Sequence, residues 1–147
     1  MGTELALKLV DDHELTVWNR TAEKTEPLVS RGATAASTPA EAVEGAELVI
    51  TCLFGPDVVR EVVIEPGLIP DGVTWADATT ISPADAAAFA DAVPGYVHTP
   101  VVGSLPPARA GKLGVYVGGA HASRRRSVAN VVAPWAAANP ERLKEVD

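Results

Sequence analysis

A single cysteine, Cys52, stands among 147 residues, so the chain has no internal disulfide available to it. Its place in an apolar run predicts a buried strand thiol. Three histidines, His13, His98 and His121, are scattered beside that one cysteine. That excludes the clustered Cys and His of a zinc site, and no metal is expected. Positive charge is scarce: 12 Lys and Arg face 19 Asp and Glu, a formal net charge of −7. The balance argues against nucleic acid or an anionic membrane surface as partner. The one basic run, Arg124-Arg125-Arg126, reads as a solvated helix face. No apolar stretch approaches the roughly 20 residues of a membrane span. No charged n-region leads into an apolar h-region, so a cytoplasmic protein is expected. Neither Gly-x-Ser-x-Gly nor Gly-x-x-x-x-Gly-Lys-Ser/Thr occurs, which sets aside nucleophile-elbow hydrolases and P-loop enzymes.

What is present is a globular composition, 47% hydrophobic, in which short apolar runs alternate with alanine-rich helical stretches. Met1 to Val10 reads as helix, with Leu5 and Leu9 four apart on one face. Glu14 to Trp18 reads as a strand, and Thr21 to Ser30 as a helix capped by Thr21 and stopped at Gly32. A short strand, Ala33 to Ala35, follows. Thr38-Pro39-Ala40-Glu41 is a capping box with proline at the first helical position. Glu47 to Leu53 is apolar enough for a parallel strand buried on both faces. Gly55-Pro56-Asp57 begins a helical turn, and Val73 to Asp77 is a strand. Ser82-Pro83-Ala84-Asp85 caps a helix running through Ala92. Strands are expected at Tyr96 to Thr99, Lys112 to Val117 and Arg142 to Val146, with a helix from Ala120 to Ala133. The alternation predicts one α/β domain over residues 1–147 with a mostly parallel sheet.

Several segments match one pattern in order. They are Glu14-Leu15-Thr16-Val17-Trp18-Asn19-Arg20-Thr21, Ser37 to Ala42, Leu48 to Phe54, Val58 to Val63, and Asp77-Ala78-Thr79-Thr80-Ile81-Ser82-Pro83. Val97-His98-Thr99-Pro100-Val101-Val102-Gly103-Ser104 follows, running on through Gly118-Gly119. Together they resemble the NADP-binding domain of the 3-hydroxyisobutyrate and 6-phosphogluconate dehydrogenase superfamily, with its imine-reductase-like members. The resemblance implies a Rossmann-type, doubly wound sheet and preference for NADP(H) over NAD(H). At the end of the second family strand an acid would accept the 2′-hydroxyl of NAD and repel a 2′-phosphate. Arg20 offers an always-charged fork there instead, with Asn19, the Thr21 hydroxyl and Lys24 beside it. Read alone, the tripeptide is a solvated arginine and an ordinary threonine cap. Leu53 and Phe54 fall where the family places an apolar wall and backbone contacts near the cofactor; read alone they are core and loop. Thr80 matches the threonine beside the nicotinamide ribose. Val102, Gly103 and Ser104 match the substrate loop, with Val102 in place of the family serine and His98 in place of its acid. Those departures suit a less polar carbonyl or imine; His98 is a proton-donor candidate or a structural strand-end histidine.

In the resemblance, Met1-Gly2 ends the family's Gly-x-Gly-x-x-Gly loop, and Gly2 is the glycine that lets the helix pack on the sheet. A sheet without its first strand and Gly-rich loop is then expected, with its ladder interrupted between the second and fourth family strands. The helical C-terminal domain with the family's catalytic lysine is likewise expected to be absent, and Lys112 and Lys144 do not match that lysine's motif. No catalytic residue is assigned. The parent family acts on small carbonyls, hydroxy acids or imines. The other expectation is a non-catalytic NADPH-binding or partner-binding module, as a homodimer or with a partner-supplied strand.

Overall fold

The computed structural model describes residues 1–146. It opens with α1 (Gly2–Leu7), which continues as turns to Val10 and buries Leu5, Leu9 and Val10. β1 (Thr16–Val17) leads into a 3₁₀ turn over Ala22–Thr25 and then α2 (Glu26–Val29). The expected single helix from Thr21 is therefore split, because Pro27 lacks the N–H of a helix interior and sits in a fresh first turn. Gly32, at φ 103°, turns the chain into β2 (Thr34–Ala35). There follow α3 (Pro39–Val43), β3 (Leu48–Thr51) and α4 (Pro56–Val59), which runs into a π-helical turn over Arg60–Ile64. Then come β4 (Thr74–Asp77), α5 (Pro83–Ala92) and β5 (Tyr96–His98). The chain finishes with β6 (Val101–Val102), α6 (Leu105–Arg109), β7 (Gly114–Gly118), α7 (Ala122–Val132) and β8 (Leu143–Val146).

The capped starts hold. Thr38 accepts the Glu41 N–H, and Ser82 and Asp85 form a reciprocal capping box. Two elements were not expected, β6 and α6. Pro106 and Pro107 argue against a helix by composition, yet both stand in the first turn of α6, where no intrahelical N–H is needed.

β3, β4 and β5 pair in parallel; β7 runs antiparallel to β5, and β8 parallel to β7. His98 faces Gly118, Val101 faces Val115 and Val102 faces Gly114, so β5 and β6 continue in one register along the same edge of β7. Only the Thr99-Pro100 step separates them. β1 and β2 form their own two-stranded parallel sheet. β1 and β3 share no ladder, so the expected interruption between these strands is present. It also corrects the expected burial of β3: only Val49 is buried there, since the strand lies at a sheet edge.

Helices cover both faces. On one, Leu5 and Leu9, Ala108 of α6 and Val128, Ala129 and Val132 of α7 pack on Ala76, Val97, Val115 and Val117. On the other, Val43, Val59, Val63 and Phe89 from α3, α4 and its π-helical turn, and α5 pack on Val49, Trp75 and Tyr96. This is the doubly wound arrangement, and strand alternation produces it. Val10, Leu28 and Ala33 tie the β1–β2 sheet to α1, with Leu15 reaching both this cluster and the main core.

The basic run is not simply a solvated face. Arg124 donates to the Thr74 hydroxyl at 2.6 Å and to the Gly72 carbonyl at 3.3 Å, and Arg125 donates to the Gly119 carbonyl. Of the three, only Arg126 is fully exposed.

Candidate functional site

The loops at the C-terminal ends of β1 and β3 meet the start of α1, and the loop after β4 meets the loop after β3. Gly2 opens that helix against the end of β3: a methyl at Gly2 would lie 3.5 Å from Cys52 Cβ and 3.7 Å from its carbonyl oxygen. Those are ordinary contact distances, so helix and strand are packed closely without excluding an alanine. Cys52 is half-buried, less enclosed than expected, because it follows an edge strand. Burial pushes its thiol above the ordinary cysteine value. On the other side, Thr3 Oγ1 lies 3.5 Å from the Lys24 carbonyl, which brings the loop after β1 beside the same helix start.

That loop is shaped by Asn19. Its side-chain oxygen accepts the Thr21 N–H at 2.9 Å, a tight side-chain turn that puts Arg20 at its apex. Arg20 is exposed and, among the described residues, has no hydrogen bond or ion pair. Thr21 has the extended backbone of a cap, but its hydroxyl caps nothing, which corrects the expected threonine cap. Asn19 already takes the Thr21 N–H, and the hydroxyl is left facing solvent. Lys24 is exposed a turn later. The loop therefore presents two unpaired cations and a free hydroxyl.

The ends of β3 and β4 are joined by a buried polar network that sequence reasoning missed. Asp77, fully buried, accepts the Thr51 hydroxyl at 2.8 Å and the Thr79 N–H at 3.1 Å on the same carboxylate oxygen. Trp75 Nε1 donates to Thr51 Oγ1 at 2.9 Å, and the Leu53 N–H donates to Thr79 Oγ1 at 3.0 Å. With Thr79 turned inward, Thr80 is exposed; with the Leu53 amide held, Phe54 stands 86% exposed beyond it. Leu53 itself is half-buried against the Trp75–Phe89–Tyr96 aromatic cluster. The one available signal was an acid closing an apolar strand, Trp75-Ala76-Asp77, and spacing alone does not tell a buried acid from a solvated one.

Val102, Gly103 and Ser104 lie at the outer end of β6 and the start of α6. Val102 is 54% exposed and Ser104, at the cap position, makes no capping bond. Gly103 has φ 141°, and a methyl there would meet Leu113 Cδ2 at 2.7 Å, so the position demands glycine. Arg109 Nε donates to Glu4 Oε1 at 3.0 Å, linking α6 to α1. The structure thus brings the Lys24 backbone against Thr3 and Gly2 against Cys52, which precedes Leu53, whose amide is held by Thr79 next to Thr80. It sets Val102 to Ser104 apart, connected to that group through the α1–α6 contact.

Burial raises the Asp77 carboxyl above the ordinary carboxylate value, against the lowering effect of its bonds from Thr79 and Thr51. Burial likewise lowers the His98 imidazole, although the Asp77 charge pulls it up. A carboxyl with a raised folded-state pKa favours folding most when protonated. Its contribution is present below 3.8 and is lost as pH rises through the raised value. The stability of Asp77→Asn relative to the parent should therefore increase as pH rises from 4 to 7, read as the difference between urea midpoints. A difference that does not change with pH would contradict this assignment.

A mostly parallel sheet wrapped on both faces, with its functional loops at the strands' C-terminal ends, defines a Rossmann-type nucleotide-binding domain. Residues 1–140 match the family described as the NAD binding domain of 6-phosphogluconate dehydrogenase, and the chain belongs to that family. It is 30% identical over 137 residues to glyoxylate/succinic semialdehyde reductase 1 of Arabidopsis thaliana, a match covering 87% of this chain and 47% of that protein. It is 36% identical over 103 residues to an NADPH-dependent reductive aminase of Aspergillus oryzae, covering 67% of this chain and 35% of that one. Among solved structures it resembles Mycobacterium tuberculosis 3-hydroxyisobutyrate dehydrogenase with L-serine, at TM-score 0.86 and 25% identity, over 99% of this chain and 50% of that one. The chain spans half or less of the length of these relatives. Among the described residues no helix is long and apolar enough to cross a membrane.

Proposed function

We propose that the chain is the NADP(H)-binding part of an oxidoreductase that moves hydride to or from a small carbonyl, hydroxy acid or imine. The observation that carries this reading is Arg20, exposed, unpaired and held at the apex of the Asn19–Thr21 turn where β1 ends. A cation without an internal partner at this point of a Rossmann-type sheet is suited to a 2′-phosphate, which it meets as a planar fork. Lys24 and the Thr21 hydroxyl add charge and a donor from the same loop. The residues present therefore fit the group. The nicotinamide, when bound, supplies or accepts the hydride. Leu53, exposed Phe54 and Thr80 form the wall against its half of the cofactor, with Thr80 offering a hydroxyl to a ribose without adding charge. α1 opens at Gly2 beside the end of β3, where the helix start would face the cofactor's pyrophosphate.

For the substrate loop, the Val102 side chain has no donor, which leaves the Gly103 N–H and the Ser104 hydroxyl to hold an oxygen or nitrogen of the reacting group. Pro106 and Pro107 remove two further N–H groups from the first turn of α6. Fewer donors favour a neutral carbonyl or imine over a carboxylate.

The test is titration with NADPH and with NADH, followed by nicotinamide fluorescence. Saturable NADPH binding is expected, and Arg20→Ala should weaken it about 10- to 100-fold, the equivalent of one or two lost charge-assisted bonds. NADH binding should barely change. Equal losses for both cofactors, or no binding by the parent chain, would overturn the reading.

A second reading rests on the split sheet. β1 and β3 each pair on one side only, and an unpaired edge is a place for strand addition. In that reading the chain is a non-catalytic NADPH-binding module completed by a partner strand or a second copy. It shares the cofactor site and differs in what fills those edges.

A further inference from the structure

We propose that Asp77 is the positioning residue of the nicotinamide-side loops: its buried carboxylate, clamped between Thr51 and Thr79, sets where Leu53, Phe54 and Thr80 stand. The consequence for cofactor binding rests on the reading above; the effect on the loops does not.

Thr51 and Asp77 are register partners on β3 and β4, and Asp77 and His98 are register partners on β4 and β5. Parallel register puts all three side chains on one face of the sheet, in a polar row at the strands' C-terminal ends. Asp77 Oδ1 is the centre of the row, accepting from Thr51 Oγ1 and from the Thr79 N–H. The Asp77 carbonyl accepts the Thr99 N–H at 2.7 Å, so the same residue also ties down the start of the β5-to-β6 step. Thr79 passes the constraint on, because its hydroxyl accepts the Leu53 N–H. One carboxylate therefore fixes two loops that leave the sheet from different strands. Leu53 is held at its amide by Thr79, and Thr79 at its amide by Asp77, with the His98 imidazole also against the Thr79 backbone.

The second oxygen explains why an acid here is costly. Asp77 Oδ2, Tyr96 Oη and His98 Nε2 are all buried without a hydrogen bond of good geometry, although the Tyr96 hydroxyl lies close enough to the Asp77 carboxyl for its pKa to be pushed up by it as well as by burial. Tyr96 stacks beside His98 at 6.3 Å between ring centroids and edges against Trp75 at 4.8 Å, so the aromatic cluster closes the carboxylate off from water. A buried carboxylate with one half unsatisfied is unfavourable for stability. Its presence is accounted for by the two loops it holds, and an asparagine there would keep the accepting oxygen while presenting an NH₂ toward Tyr96 and His98.

The experiment measures amide hydrogen exchange residue by residue in the parent chain, Asp77→Ala, Asp77→Asn and Thr79→Val, with NADPH titrations alongside. Asp77→Ala should speed exchange at Leu53 and Thr79 by about tenfold or more, as expected for loss of a buried hydrogen bond, and leave Val117 in β7 unchanged. NADPH affinity should fall by a similar factor. Asp77→Asn should restore both to within about threefold of the parent, because the clamp's acceptor is retained. Thr79→Val should open the Leu53 amide alone, and it tests the relay if Asp77→Ala does not fold. Unchanged exchange at Leu53 and Thr79 in Asp77→Ala, or a uniform rise across all strands, would overturn the proposal. So would failure of Asp77→Asn to rescue a localised effect. If the parent binds no NADPH while the localised exchange pattern appears, the cofactor reading fails and the positioning role stands.

Discussion

Trp135→Ala should destabilise the chain by about 3–5 kcal/mol, the range for removing a fully buried aromatic side chain. Trp135 has no exposed surface and lies in the 3₁₀ turn Ala133–Ala136 that follows α7. It packs in the core with Leu5, Leu9, Leu113, Val128 and Val132. Its indole N–H donates to the Leu5 carbonyl at 3.0 Å, and its own carbonyl accepts the Leu113 N–H at 3.1 Å. One residue near the C-terminal end thus holds α1 to β7. Truncation removes apolar contact and opens a cavity the rigid surroundings cannot collapse into. Trp135→Phe keeps most of the packing and loses the indole bond, so it should cost distinctly less, about 1–2 kcal/mol. Urea unfolding of both variants checks this. Equal losses would mean that the hydrogen bond, not the packing, anchors α1. Because α1 begins at Gly2 beside Cys52, Trp135→Ala should also weaken NADPH binding at temperatures where it remains folded.

Gly95→Ala should cost about 3 kcal/mol or more, at or above the upper end of ordinary overpacking. A methyl at Gly95 would sit 2.1 Å from the Val73 carbonyl oxygen and 3.1 Å from its carbon. Both are backbone atoms, which cannot swing aside as a side-chain end could. The Gly95 carbonyl accepts the Trp75 N–H at 2.9 Å, so separating the two strands breaks a ladder bond at the base of β4. It would also disturb Arg124, which spans this point to reach Gly72 and Thr74. Gly55→Ala is the informative comparison: its backbone is extended and nothing lies within 4 Å of a methyl there. That variant should unfold within about 0.5 kcal/mol of the parent. Similar losses at both positions would show that the effect belongs to glycine flexibility, not to close approach at Gly95.

Local chemistry was readable where it acts over three or four residues. The box at Ser82, the cap at Thr38 (whose Glu41 carboxylate turns to the Ser37 N–H instead of closing the box), the turn at Gly32 and the apolar runs of β3, β4 and β5 sit where their residues demand. Arg20 was legible too, since a strand end followed by Asn-Arg-Thr leaves the arginine at the sheet's edge. The misreadings share a different cause. The Thr21 hydroxyl caps nothing, and the Lys24 N–H goes to the Thr21 backbone carbonyl, while the Asn19 side chain shapes the turn by accepting the Thr21 N–H. Arg124 and Arg125 read as a solvated face in the sequence because their acceptors, Gly72, Thr74 and Gly119, are not neighbours on the helix. Leu105 to Arg109 carries no helical signal in its composition, and the placement of both prolines in a first turn makes them compatible with a helix.

Apart from β6, α6 and the split of the helix after Thr21, the sequence by itself determined the element types, their order and the cationic loop after β1, because caps, turns and periodicity are set by near neighbours and need no partner from elsewhere. Only the tertiary structure decided which edges pair, that β5 and β6 share one register against β7, and that β1 and β3 stay apart. It alone made Asp77 a buried clamp, through bonds to a residue 26 positions away, and made Trp135 the anchor of a helix 130 positions earlier. Such contacts depend on where distant segments come to rest, and no spacing along the chain encodes that position directly.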